Sequence, residues 1–342
     1  MKTKQIIWLV VAVAVFAVTG FLGVQSAITA NQQAANMTEE LGALFGSEFE
    51  SFFYNSGEVS FEFPEEEFIA RVDVVGTIME TDPSTAALSG VSYNHGFTLD
   101  YIDALMECES NQAMMLYINS PGGTINDADE LYLKLMEYKE KTGRTIYAYF
   151  DDYACSGGYY VAMAADFIYA NRNSLCVNIG VYMSTYNFSE LFEKAGVEQV
   201  VFRSSPNKGI GMAGVEWTEE QKAIYQSIVD VHYAQFLDVV AKGRGMDYDT
   251  LAATNDGREM VAPQALEAGF IDGISPYEEF EALLMQLKFC DCVYTAAPPA
   301  SPFDSLFGYI SSVLPKSEAQ VWNEFAGEHD GIVVMAYADS FS

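Results

Sequence analysis

The chain has 342 residues, half of them hydrophobic and 19 % charged, so it can bury a core and is not disordered throughout. Seventeen Lys and Arg against 48 Asp and Glu leave a net charge of −31; this surface repels phosphate backbones and excludes nucleic acid as a partner. Five cysteines and three histidines make neither a disulfide framework nor a His-rich metal centre, and no metal and no cofactor are expected.

Lys2 and Lys4 precede an apolar run from Ile6 to Val24, 19 residues and about the length of a bilayer-spanning helix. The next basic residue is Arg71, after nine glutamates, so the lysines are expected on the cytoplasmic side and the rest of the chain outside it. Residues 1–30 therefore read as a membrane anchor or signal segment. A cleaved signal is the alternative, with an imperfect small-x-small site at Ile28-Thr29-Ala30. Residues 31–67 read as an acidic stalk.

From Phe68 short apolar runs alternate with helical patterns. Strands are expected over Ile69–Ile78, Ala113–Ile118, Thr145–Phe150, Phe167–Ala170, Asn178–Met183 and Gln199–Phe202. Ala128, Leu131, Tyr132, Leu135 and Met136 share one face of a helix over Thr124–Lys141. Thr218-Glu219-Glu220-Gln221 is a capping box opening a helix to Gly243. This alternation predicts an α/β fold with a largely parallel sheet and flanking helices, over residues 68–290. Residues 291–342, with scattered aromatics, read as an appended, flexible tail.

Chemistry concentrates at two strand-to-helix corners. In Asn119-Ser120-Pro121-Gly122-Gly123 a glycine pair lets backbone N–H groups face outward beside a helix N-terminus, where an oxyanion can sit; an ordinary turn is the alternative. In Ala154-Cys155-Ser156-Gly157-Gly158-Tyr159-Tyr160 a serine flanked by glycines is presented as a nucleophile; the alternative is that Ser156 only caps the helix. Cys155 is a rival nucleophile, but with no histidine nearby it reads as a small buried residue. His95 falls in a loop-like stretch before both corners, His232 inside the long helix and His329 in the tail, so a Ser-His-Asp triad has no support. Lysine is the other base. Most lysines look like surface positions on helices; Lys208 differs, in the polar loop Arg203–Gly209, though a plain solvated lysine is the alternative there.

These segments resemble the signal peptide peptidase A (protease IV) family. Tyr117–Gly123 is similar to its oxyanion loop and Ala154–Ala162 to its Ala-Ser-Gly-Gly-Tyr-Tyr motif. Ala165–Asn171, Asn178–Val181, Asp256–Arg258 and Gln264–Asp272 continue the likeness, and Lys208 follows Ser156 by 52 residues, the spacing of the half-length members. The resemblance runs from about Phe68 to Pro276. It implies a Ser/Lys-dyad peptidase on a crotonase-like, ClpP-like fold, with Ser156 as nucleophile, Lys208 as general base, and the Gly123 and Gly157 N–H groups as oxyanion hole. The implied substrates are apolar peptides such as cleaved signal peptides. Where the family usually carries a Ser that orients the lysine, this chain has Asn178, whose amide oxygen can accept the same bond. The loop around Lys208 is too polar to desolvate it alone, so a second surface is expected to cover it: a neighbouring protomer of a homo-oligomeric ring, whose Ser156 it then serves. The competing readings are a related membrane-associated peptidase with a specific protein substrate and a non-catalytic peptide-binding scaffold.

Overall fold

The run Asn111–Ser120 buries side chains on both of its faces, as a strand does inside a parallel sheet covered by helices on two sides. In the computed structural model, which describes residues 60–80 and 93–298, that run is β2. In chain order the elements are β1 (Phe68–Val75), α1 (His95–Glu107), β2 (Asn111–Ser120), α2 (Ile125–Thr142), β3 (Ile146–Cys155), α3 (Gly157–Ala162), β4 (Phe167–Ala170), β5 (Leu175–Val177), α4 (Ser189–Ala195), α5 (Glu219–Arg244), α6 (Tyr248–Thr254), β6 (Glu259–Val261), α7 (Ala262–Glu267), β7 (Gly273–Ile274), α8 (Tyr277–Lys288) and β8 (Val293–Thr295). All described residues but Pro298 belong to one compact unit.

The strands join in the order β6-β5-β3-β2-β1-β8, with β4 bridging β3 and β7. Every pairing is parallel except β5 with β6. The sheet forks at β3: its first half, Tyr147–Phe150, lies beside β4, and its last three residues, Tyr153–Cys155, lie beside β5. The pairing of β2 with β3 slips between Ile118 and Ser120, so both strands bend at the end where the two glycine corners leave them.

One face of the sheet packs on α1, α2, α3 and α5 through Val72, Val74, Leu116, Ile118, Leu131, Leu135, Tyr159 and Val240. The other packs on α8 through Ile69, Met115, Tyr149, Phe280 and Leu284. The α2 helix opens with Thr124, whose hydroxyl accepts from the Asp127 N–H, and closes at Gly143 in the left-handed region. The α5 helix opens with the expected Thr218–Gln221 capping box.

Several expectations change, among them the strand over Ile69–Ile78, which ends at Val75. His95 is not in a loop: Asn94 caps α1 by accepting the Phe97 N–H, and His95 is its first residue. Asn178–Met183 and Gln199–Phe202 form no strand. The chain leaves β5 through Val177 and Asn178, at φ 76° and 53°, a turn that ends pairing, and the apolar run beyond has no strand beside it; Tyr182 is 86 % and Phe202 94 % exposed. The strand Thr145–Phe150 continues to Cys155. The packed fold also reaches past residues 68–290, because Phe63 stacks on Phe68 and β8 extends the sheet beside β1. The anchor expected over 1–30, most of the stalk and most of the tail lie outside the described residues. Among the described residues no helix is long and apolar enough to cross a membrane.

Candidate active site

The end of β3 runs straight into α3 through Ser156, at φ 52° and ψ −119°. A non-glycine residue there costs roughly 1–3 kcal/mol, and the surrounding backbone holds it: the Ser156 N–H donates to the Val177 carbonyl at 3.0 Å, and the Ser156 carbonyl accepts from the Tyr160 N–H at 2.9 Å. Val177 is itself in the left-handed region, so two strained residues brace each other. Although Ser156 occupies the cap position of α3, its side chain makes no capping hydrogen bond. The hydroxyl is therefore not spent on capping α3.

The other corner is stitched to the end of the β1 segment. The Ile78 N–H donates to the Gly122 carbonyl and the Thr124 N–H to the Ile78 carbonyl, both at 2.9 Å. A Cβ on Gly123 would lie 1.8 Å from the Ile78 oxygen, so only glycine fits. A Cβ on Gly122 would lie 2.8 Å from the Ser156 Cβ and 3.0 Å from the Gly157 nitrogen, which shows how closely the two corners meet. A Cβ on Gly157 would in turn sit 3.1 Å from the Gly123 nitrogen. Neither the Gly123 nor the Gly157 N–H donates to a protein acceptor among the described residues. Two vacant donors side by side beside a free hydroxyl can hold a developing oxyanion.

Ser156, Gly123 and Gly157 line one cleft of about 30 Å³, walled also by Thr124, Ile125, Ala128, Tyr160, Gly180, Val181, His232 and Phe236. A larger cleft of about 590 Å³ around Met246, Thr250, Asn255 and Phe270 contains no serine or cysteine among its lining residues. Several supports of the smaller cleft were not singled out from sequence. Ser120 is fully buried, and its hydroxyl accepts the Gly122 N–H at 3.1 Å. The Tyr160 hydroxyl donates to Asp129 on α2 at 2.5 Å and accepts from Gln235 on α5 at 2.9 Å, tying three helices together. His232 reaches the cleft because it lies one helical turn before Phe236 on α5, a spacing visible in the sequence but uninformative until α5 is placed.

Cys155 points away from this chemistry. It is 2 % exposed, its thiol donates to the Leu175 carbonyl at 3.4 Å, and burial, helped by the charge of Glu259, pushes its pKa up to about 12. It stays protonated and inert at neutral pH.

Lys208 does not line the Ser156 cleft; it stands exposed on a turn, its N–H donating to the Ser205 carbonyl. Asn178 is next to the Val177 carbonyl that holds Ser156, and its side-chain amide donates to the Gly257 carbonyl at 2.6 Å, which leaves its oxygen to accept. His95, Asp127 and Glu130 bring ligand-type atoms within 4.8 Å of one another. They already satisfy each other and their neighbours: His95 meets Glu130 at 3.1 Å and Tyr93 at 2.9 Å, and Asp127 accepts from Thr124 and the Glu80 N–H.

A free serine hydroxyl beside two vacant amides is the outline of an acyl-transfer site, and known proteins agree with it. The family model for peptidase family S49 matches residues 138–290, a stretch that holds both Ser156 and Lys208. A protein of Enterococcus faecium named as the signal peptide peptidase SppA is 33 % identical over 244 residues, 70 % of each chain. A protease-named protein of Synechocystis is 33 % identical over 213 residues, 62 % of this chain and 71 % of that one. The chloroplastic serine protease SPPA of Arabidopsis thaliana is 27 % identical over 223 residues, 63 % of this chain and 33 % of that one. The chain belongs to peptidase family S49 and is a serine peptidase.

Proposed function

We propose that the chain is a membrane-anchored endopeptidase with a Ser/Lys dyad that cuts apolar peptides, such as cleaved signal peptides, on the extracytoplasmic side. The carrying observation is Ser156: a strained strand-to-helix residue with an unused hydroxyl, sharing a cleft with Gly123 and Gly157. The parallel sheet with its forked β3 is, on this reading, of the crotonase-like, ClpP-like type.

The chemistry proceeds in two halves. Ser156 Oγ attacks the scissile carbonyl carbon while its proton passes to the neutral amine of Lys208. The Gly123 and Gly157 N–H groups hold the oxyanion. The tetrahedral intermediate collapses, the C–N bond breaks, and the ammonium returns the proton to the leaving amine. Water then attacks the acyl-enzyme with the same lysine as base, and Ser156 is restored. A lysine must be neutral to act; free lysine titrates near ~10.4, and only desolvation brings such a group toward ~7–8. An exposed turn gains that cover from another molecule. The segment bearing Lys208 also carries Tyr182, Tyr186 and Phe202 in the open, an apolar surface of the kind that marks a protein interface. This supports a ring in which Lys208 completes the site of a neighbouring copy and the Asn178 oxygen orients it. The lysines and apolar run ahead of Val24 support the anchor and the outward topology.

The test is cleavage of an apolar fluorogenic peptide by the full chain in detergent, from about pH 6 to about pH 10. Ser156→Ala and Lys208→Ala are expected to be inactive alone and to regain activity when unfolded and reassembled together, because hybrid rings pair an intact serine with an intact lysine. Inactivity of the wild-type ring, with no labelling of Ser156 by a serine-reactive probe, would leave a peptide-binding scaffold.

A further inference from the structure

We propose that Asp127 is a positioning residue for the oxyanion corner: its carboxylate pins residues 76–80 to the first turn of α2 and so fixes where the Gly123 and Gly157 N–H groups stand. The inference rests on the reading above that these two amides hold the oxyanion, and adds to it the residue that holds them in place.

The first turn of α2 departs from the usual capping arrangement in one respect. The Thr124 hydroxyl accepts the Asp127 N–H at 3.2 Å, as a capping residue does for the third helical residue. In a full capping box the side chain of that third residue returns to the N–H of the cap. Here the Thr124 N–H is already given to the Ile78 carbonyl, and the Asp127 side chain reaches a different segment. Its Oδ2 accepts the Glu80 N–H at 2.9 Å and the Thr124 hydroxyl at 2.6 Å, while Oδ1 accepts from the Asn126 side chain at 3.2 Å. One carboxylate oxygen therefore bridges the loop that carries Gly123 and the segment that runs beside it.

That segment meets the oxyanion corner at every second residue. The Gly76 N–H donates to the Asn119 carbonyl, the Ile78 N–H to the Gly122 carbonyl, and the Thr124 N–H to the Ile78 carbonyl, all at 2.9 Å; the bond from Glu80 to Asp127 completes the series. The Ile78 oxygen lies so close that a Cβ on Gly123 would stand 1.8 Å from it, so the place of the segment sets the place of Gly123. The same turn of α2 reaches the second donor: a Cβ on Gly157 would lie 3.3 Å from the Ala128 Cβ and 3.1 Å from the Gly123 nitrogen. Ala128 follows Asp127 in the chain, so a shift of this turn moves both amides together.

The chemistry of the group suits this task. Asp127 is buried, and no step of the reaction above uses its carboxylate. Burial alone would raise its pKa, but Thr124, the Glu80 N–H, Asn126 and His95 outweigh it and hold the carboxyl below its ordinary range. It is thus ionised at neutral pH, at a helix N-terminus where negative charge is favoured. Its hydrogen bonds are of the charge-assisted kind, shorter and about twice as strong as neutral ones. Oxyanion donors act only when held to within about 0.5 Å of their productive place, and a satisfied, buried carboxylate supplies that rigidity.

The experiment compares wild type, Asp127→Asn and Asp127→Ala as full chains in detergent. Thermal melts check the fold, and an apolar fluorogenic peptide gives kcat and KM. Two inhibitors probe the corner itself: a peptide aldehyde, which adds to Ser156 and places an oxygen where the oxyanion forms, and the matching peptide alcohol, which forms no adduct. Asp127→Asn keeps the shape and removes the charge, and is expected to lower kcat about tenfold; Asp127→Ala is expected to lower it about 100-fold, the scale of losing one oxyanion donor. KM should stay within about twofold, because the lost interaction is made in the transition state. Affinity for the aldehyde should fall in step with kcat/KM, and affinity for the alcohol should hold. Undiminished kcat in a cooperatively melting Asp127→Asn would overturn the inference, as would equal losses for aldehyde and alcohol, which would mean that the cleft as a whole has loosened. Should Asp127→Ala fail to fold, the near-isosteric Asn variant decides alone. Wild type that forms the aldehyde adduct while the variants keep it in full leaves the oxyanion reading standing without Asp127; wild type that neither cleaves nor forms the adduct removes both readings together.

Discussion

Gly122 illustrates how little room the site leaves. Its φ of 112° suits glycine alone, and any side chain there would collide with the Ser156 Cβ and the Gly157 nitrogen. Gly122→Ala is therefore expected to lower kcat/KM by at least about 100-fold, the scale of losing one oxyanion donor, while the melting temperature falls only modestly, since the β1–β3 core is untouched. A cooperative melt with intact activity would contradict this account of the loop. Cys155 gives the complementary test. With its pKa raised to about 12 by burial, it should resist alkylation by iodoacetamide in the folded protein at about pH 8 and react only on unfolding; mass spectrometry of the peptide after a short pulse reads this directly.

The elements around the cleft are held by a few polar ties as much as by apolar packing. At the far end of α5, Arg244 grips Asp272 through two hydrogen bonds, at 2.7 and 3.0 Å, and Asp272 also accepts the Ile168 N–H at 2.8 Å. Burial alone would raise the Asp272 pKa, but the Arg244 and Ile168 donors outweigh it and hold the carboxyl below its ordinary range. A depressed folded-state pKa stabilises the fold above the unfolded value of ~3.9 and stops doing so as pH falls through the lower folded value. Stability contributed by this clamp should thus be constant near neutrality and vanish in acid below about pH 4. Arg244→Ala is expected to cost about 1–2 kcal/mol at neutral pH, discounted because the carboxylate is 34 % exposed. The gap between denaturant melts of wild type and variant should then narrow in acid, without closing, because Arg244 also donates to the Gly269 carbonyl at 3.0 and 3.1 Å. Because α5 also carries His232, Gln235 and Phe236, loosening its end is expected to disturb the cleft as well.

At the scale of the molecule the charge of −31 dominates. Self-repulsion among excess carboxylates destabilises any compact state, and salt shortens its reach to about 10 Å at 0.1 M. Among the described residues the ion pairs are mostly exposed, each worth little. Net screening should therefore win, and the melting temperature is expected to rise as sodium chloride goes from about 0.02 to about 0.5 M. A fall would mean that local ion pairs outweigh the global field. The same repulsion bears on the proposed ring: association through the exposed Tyr182, Tyr186 and Phe202 would have to overcome it, so assembly is expected to strengthen with salt.

The sequence by itself determined the family and the alternation of the fold, because both are written in local signals. The helices over 125–142 and 219–244 follow from apolar spacing and from Thr124 and Thr218 as caps, and the glycine corners at 122–123 and 156–158 follow from backbone freedom that few other residues offer. Ser156, marked by its place between strand and glycines, and Gly123 and Gly157, named through the family resemblance, line one cleft. Only the tertiary structure decided what depends on contacts between distant segments. It turned Asn178–Met183 and Gln199–Phe202 from strands into unpaired chain, with Ile179 buried but Tyr182, Met183 and Phe202 exposed, since an apolar run becomes a strand only where another strand lies beside it. It drew Phe63 and β8 into the packed fold through Phe68 and β1. It showed that the Ser156 hydroxyl is not spent on a cap, and it brought His232, 76 residues further along, to the wall of the cleft: helix periodicity fixes which residues share a face, but not what that face meets.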